Sequence, residues 1–357
     1  MALAAILIGT LPVLAAWMAY RRPASPKPAV ETRSASQAEP AGSAIDPSQI
    51  DASRVEAASK SASQRLWRLA FGAPSQMPPL DPAHIPVRDL IYAVLQVDIL
   101  DPSYFPRRPA LMPQLMQAVN DPAAASDTLS RMIARDPVLA ADVLRLANSS
   151  LYRVSPEPIK TIQQAVVVCG VDSLRGILAV AMLRPVFRAS RSNFPRLPRM
   201  LWERTERAAR AAELYAAKLH PQDRFEAQFI VLLSALGPLV VYSAALDGYS
   251  RAPTLSPNPA LFVELIDGLA PRMSQRIARD WETPPRFQAA FDTSGGELLA
   301  TALHVGELLG TLSFLESQTV ISSDERQDVA KSAGLPGDLV DGIWARLAVG
   351  PEDEEAS

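Results

Sequence analysis

Residues 111–154 read LMPQLMQAVNDPAAASDTLSRMIARDPVLAADVLRLANSSLYRV, and residues 161–183 read TIQQAVVVCGVDSLRGILAVAML. Apolar residues recur at helical spacing in both, with little period-two alternation. Leu129, Met132 and Ile133 share one face, and Leu139, Val143 and Leu146 make another stripe. Asp136-Pro137 separates the two, since proline suits a first helical turn. Thr161 is placed to cap a helix over 162–168, Gly170 to end it, and Asp172 or Ser173 to open the next helix toward Phe187. The text predicts an all-α fold of short, capped helices.

Working outward, helices are predicted over 201–219 and over 227–245, the second apolar nearly all round and so the centre of a second lobe. Others follow over 258–269, 273–281, 285–291, 298–315, 325–334 and 339–347, before an acidic tail, PEDEEAS. No strand and no internal repeat is evident. Toward the N-terminus, Ile50, Arg54 and Ala57, then Leu66 and Leu69, fall at helical spacing up to Phe71. The segment before them is rich in Pro, Ala, Ser and scattered charge and has few large apolar residues, the composition of a flexible linker.

At the start stands ALAAILIGTLPVLAAWMAY, residues 2–20, uncharged, long enough to cross a bilayer as a helix, and followed at once by Arg21-Arg22. The positive-inside tendency puts that pair on the cytoplasmic side, which predicts a single-pass inner-membrane protein with most of its chain in the cytoplasm. A cleavable secretory signal competes, because Ala15, Ala16 and Ala19 are small, but no basic residue precedes the apolar run. A buried soluble helix also competes, favoured slightly by Pro12. The division that follows is 1–22 membrane anchor, 23–60 linker, 61–106 helical lead-in, 107–200 first lobe, 201–320 second lobe, 321–349 C-terminal helices and 350–357 acidic tail.

A net charge of −3 over 357 residues argues against a dedicated nucleic-acid binder. The single cysteine, Cys169, has no internal partner and sits in an apolar run, so it reads as a small buried hydrophobe.

The quoted stretches resemble the HDOD family of bacterial signalling proteins. The resemblance rests on Asp136-Pro137, LRLANSS at 144–150 with Tyr152, then Ile162, Ala165, Gly170, Leu174 and Arg175, and it extends over about 107–315. It implies an N-terminal helical bundle joined to a lobe related to the HD metal-dependent phosphohydrolases. An active HD site needs a histidine on one helix, a His-Asp pair on the next and a later acid, to hold a divalent metal that polarises phosphate and activates water. Here the resemblance places Arg204 at the first position, in LWERTERAA, and Ser234-Ala235 at the pair, in LLSALGPLVV, with Pro238 where a lysine is frequent. Only the last acid has a counterpart, Glu307 in HVGELLG. Ser and Ala cannot replace imidazole and carboxylate, so the lobe reads as a hydrolase scaffold without catalytic residues, metal or other cofactor. His84, His220 and His304 do not restore the set; a helical His304-x-x-Glu307 would need a second cluster, and the sequence has none.

Two constellations carry binding expectations. Arg184, Arg188, Arg191, Arg196, Arg199, Arg204, Arg207 and Arg210 form a basic stretch at the lobe boundary, suited to a nucleotide, an acidic partner or anionic headgroups. Within it Arg196, Arg199 and Arg204 are the candidate contacts, against the plainer reading of a solvated connector. In LANSSLYRV, Asn148 and Tyr152 can end a helix and pack a bend, or flank a groove for a partner's segment. The resulting expectation is a non-enzymatic, membrane-anchored signalling or scaffold protein. It would bind an unidentified signalling protein or an anionic small signal; the resemblance links such modules to cyclic-di-GMP, motility or stress networks. The alternatives are a residual phosphohydrolase with a displaced site at His304 and Glu307, and a nucleotide sensor without turnover.

Overall fold

A computed structural model describes residues 50–72, 79–96, 106–120, 122–187, 194–291 and 298–347, with side chains 119–125 left out. The apolar run at 2–20, the linker as far as 49, Arg188, Arg191 and the acidic tail lie outside the described residues. Everything described belongs to one compact unit and is all-α, with no strand among the described residues.

The first lobe is built from α3 (Met112–Asn120), α4 (Pro122–Ala134), α5 (Pro137–Asn148), α6 (Ile162–Cys169) and α7 (Val171–Leu183), numbered after α1 (Ala52–Phe71) and α2 (Ile85–Gln96). Its punctuation follows the residues quoted above. The Asp136 carboxylate accepts from the N–H groups of Val138 and Leu139, with Pro137 in the first turn. Thr161 caps α6 by accepting from Gln164 N–H. Gly170 closes α6 at φ 80°, a backbone that a side chain would strain. It also opens α7 directly at Val171, so neither Asp172 nor Ser173 is the cap. All residues from Leu174 to Leu183 are buried, which makes α7 the axis of this lobe. Arg175 fixes it to α3 by donating to the Ala118 carbonyl at 2.7 Å while pairing with Asp172.

The second lobe centres on α8 (Leu197–Leu219), α9 (Arg224–Ser234), α10 (Leu236–Ser250), α11 (Pro259–Asp280) and α13 (Leu298–Ser317), with the short α12 (Pro285–Ala289) between the last two. Helices α8 and α13 run antiparallel at very short range. A Cβ on Gly310 would lie 2.3 Å from the Ala208 Cα, and one on Gly306 2.7 Å from the Ala208 carbonyl oxygen, so only glycine lets the two backbones approach this closely.

Two predicted helix runs are divided differently in the structure. The helix predicted over 227–245 is two helices, α9 and α10, with Ala235 between them. Pro238 lacks the N–H that would bond the Ser234 carbonyl four residues back. The Ser274 hydroxyl donates to that carbonyl instead, at 2.8 Å. Conversely, the helices predicted over 258–269 and 273–281 are one, α11, which runs through Pro271. Pro271 faces solvent, while Leu269, Ala270, Met273 and Ser274 are held in the core across it.

The lead-in is part of the second lobe's core. Helix α1 begins at Ala52, inside the stretch assigned to the linker, capped by Asp51 and ended by Gly72 in the left-handed region. It lies along α13. Its Phe71 ring packs edge-on against Phe194 at 4.9 Å and against Phe262 at 5.2 Å. Helices α14 (Ser323–Ser332) and α15 (Gly337–Leu347) close the same side, where Arg65 of α1 pairs with Glu325 and Arg54 donates to the Ser332 carbonyl. Two stretches, Pro221–Ser250 and Leu298–Ser317, are apolar enough to cross a membrane by composition. They are 72% and 78% buried, as core helices are.

Candidate functional site

The residues that the resemblance equates with HD ligands converge. Helix α8 brings Arg204, the end of α9 brings Ser234, and α13 brings Glu307 to one part-buried point. The Ser234 hydroxyl donates to Glu307 Oε1 at 2.8 Å, and the Arg204 guanidinium stands 3.6 Å from the same oxygen. Arg204 Nε also donates to the Thr311 hydroxyl, one turn along α13, at 2.9 Å. The Arg204 side chain is 6% exposed and that of Glu307 21%. Burial pulls the guanidinium below its usual arginine value, and the Glu307 carboxylate opposes that pull. Ala235 adds only a buried methyl.

A divalent metal does not fit this set. A cation already faces the one acid, and the other two positions offer a hydroxyl and a methyl in place of imidazole and carboxylate. Among the described residues, no three His, Cys, Asp or Glu groups stand together as a ligand set. His304 lies one turn before Glu307, near Glu56 of α1, whose carboxyl is held below its usual value first by Lys60 and then by His304.

The arginine stretch is not one surface. Arg196 is exposed just before α8. Arg199 is exposed and pairs with Glu203 at 2.7 Å. Arg204 points inward, as described. Arg207 is half-buried over the Phe314 ring. Arg210 is buried, pairs with Glu213 and lies over the Tyr152 ring. Arg196 and Arg199 therefore share the outer first turn of the helix, and the structure does not bring Arg204 to them.

Tyr152 meets the lobe boundary and Asn148 lies within the first lobe, both through internal contacts. The Asn148 amide donates to the carbonyls of Leu144 and Ile159, both at 2.8 Å, and its Oδ1 accepts from Ile159 N–H at 2.7 Å. One side chain thus ties the end of α5 to the approach to α6. Tyr152 is buried; its hydroxyl accepts from Gln228 Nε2 of α9 at 2.9 Å, and burial raises its phenol. Gln228 is in turn seated against Gly176 of α7, where a Cβ would clash with it at 1.7 Å. Gln228, Thr311 and Ser274 escaped the sequence reading. Each is a buried polar residue on the core face of its helix, and nothing local in the sequence names its partner.

An all-α chain with a helical bundle in front of a second helical lobe defines the class. The chain belongs to the HDOD domain family, whose model matches residues 105–294. Helix α13, and with it Glu307, lies beyond the matched span. Among solved structures, the chain is similar to an HDOD domain protein with unknown function from Geobacter sulfurreducens, at 17% identity and TM-score 0.50, covering 75% of this chain and 97% of that one. It is also similar to the "Putative metal-dependent phosphohydrolase" from Shewanella amazonensis SB2B, at 16% identity and TM-score 0.51, covering 74% and 98%. No curated protein matches the chain.

Proposed function

We propose that the protein is a non-enzymatic HDOD module, tethered to the inner membrane by residues 2–20, that works by binding a signalling protein or a small anionic signal. The observation that carries this reading is the chemistry of the former ligand positions: Arg204, Ser234 and Ala235 supply no imidazole and no second carboxylate beside Glu307. Phosphoryl chemistry of the HD type needs that set to bind metal and activate water. In this reading, output passes through contacts made in trans within a bacterial regulatory network.

The test uses the full chain purified in detergent. Elemental analysis is expected to give far less than one divalent metal per chain. Added manganese or iron is expected to produce no turnover of cyclic dinucleotides or nucleoside phosphates. Turnover that disappears in His304→Ala or Glu307→Ala would replace this reading with the residual phosphohydrolase. Cell fractionation tests the tether: the chain is expected with inner membranes, and a periplasmic form starting after Ala19 would overturn it.

A further inference from the structure

We propose that Arg204 is a resident cation that takes over the metal's structural work in the HD-like lobe, joining α8, α9 and α13 by charge and keeping divalent ions out. The proposal rests on the reading above that the lobe binds without hydrolysis, and goes on to what replaced the metal.

A metal in such a lobe does two things: it carries chemistry, and it cross-links helices by gathering their side chains around one positive charge. The second task survives here with other atoms. Glu307 on α13 faces the Arg204 guanidinium of α8 at 3.6 Å and accepts from the Ser234 hydroxyl of α9 at 2.8 Å. The guanidinium reaches along α13 to Thr311 at 2.9 Å. The Ser234 carbonyl, released by Pro238, is held by Ser274 of α11. Four helices are thus linked around one cation and one acid, at the end of the α9–α10 break. A lysine ammonium is a point charge and could not serve Thr311 and Glu307 from the two ends of a planar fork.

Two consequences distinguish this from mere packing. First, the pair should be strongly coupled, because a buried charge left alone is costly whereas removal of both is mild. Arg204→Met and Glu307→Gln are each expected to lower the melting temperature of the full chain by roughly 5–10 °C. The double variant should melt above either single one. Second, the helix backbones should still be set for a metal, so ligand types restored at these positions should recover one. The variant carrying Arg204→His, Ser234→His and Ala235→Asp, stripped with chelator and reloaded with manganese, is expected to hold about one ion per chain and to melt higher with manganese than without.

The outcomes separate the two claims. Single variants whose losses simply add in the double variant would overturn the resident-cation proposal, and this cycle decides the matter if the triple variant fails to fold. A triple variant with native helix content that takes up no manganese would also overturn it, leaving the non-enzymatic reading intact. A parent chain that retains about one metal per chain, lost on Glu307→Gln, would overturn the non-enzymatic reading itself.

Discussion

The corner between α5 and α6 and the junction of α8, α9 and α13 are both closed by one polar side chain, yet they solve different problems. At the corner, Asn148 bonds the Leu144 carbonyl and both backbone groups of Ile159, which lies outside any helix. The amide is neutral and matches donor to acceptor, so its removal strands hydrogen bonds and nothing else. At the junction, Arg204 answers a side-chain charge, Glu307, between helices already in contact through Gly306 and Gly310. In both places residues that look like ligand chemistry in the sequence are consumed internally. A polar residue inside a helical protein is therefore a question about its partner before it is evidence of a site.

The largest expected effect lies at the junction's packing. Gly310→Val would place a branched side chain where even a Cβ comes within 2.3 Å of Ala208. The α8 backbone cannot yield as a side-chain tip would. A loss of about 3 kcal/mol or more, or failure to accumulate folded protein, is expected from chemical denaturation. A loss below about 1 kcal/mol would mean that α8 and α13 can separate, and the junction would no longer be the stiffer of the two regions.

Next comes the corner. Asn148→Ala removes three hydrogen bonds and leaves both backbone groups of Ile159 without their partner. About 2–3 kcal/mol should be lost. Asn148→Asp keeps the acceptor for Ile159 N–H but cannot donate to either carbonyl, so it should also destabilise. An aspartate variant as stable as the parent would show that water replaces the amide and that the corner is open, which would revive it as a partner groove.

How much of this was readable from residues differs between the two regions for a physical reason. The corner and its flanking helices were legible because their signals are local: Asp136 and Thr161 accept from N–H groups two or three residues on, and Gly170 ends α6 through its positive φ, although it also starts α7 without help from Asp172. The junction was legible only as a list of positions carried by family resemblance. Spacing along the chain does not say that Arg204 meets Thr311, 107 residues later. Pro238 and Pro271 show the same limit. Half-buried Pro238 stands where the α9–α10 run breaks, and the Ser234 carbonyl it leaves unbonded has Ser274 to turn to. Exposed Pro271 was absorbed by α11, because packing on the opposite face held the helix. The difference lies in what the neighbouring helices supply at each proline, and that is set by the assembled fold.

Tyr152 joins the two regions and predicts a smaller effect. Tyr152→Phe keeps the ring beneath Arg210 but leaves the Gln228 amide without its acceptor. About 1 kcal/mol is expected. Tyr152→Phe combined with Gln228→Leu should not restore stability, since Gln228 fills the space that Gly176 leaves open. Full restoration in the double variant would reduce the inter-lobe contact to apolar packing.

The smallest expected effect on stability is the one most useful for function. Arg196 and Arg199 stand exposed at the start of α8, whereas Arg204, five residues beyond Arg199, is buried against Glu307. Changing Arg196 and Arg199 together to glutamine should shift stability by no more than about 0.5 kcal/mol, as for ordinary surface substitutions. Helix content should match the parent. If the outer turn contributes to anion recognition, affinity for a nucleotide panel should fall in this variant and its dependence on salt should flatten, because charge-assisted contacts at an exposed site are screened. Arg204→Met, in contrast, should lower the melting temperature and leave the salt dependence of binding unchanged, its charge being turned inward. Equal affinity and equal salt slope in the Arg196 and Arg199 double variant would remove the outer turn from consideration. A salt slope that changed only with Arg204 would contradict the inward geometry on which the comparison of corner and junction depends.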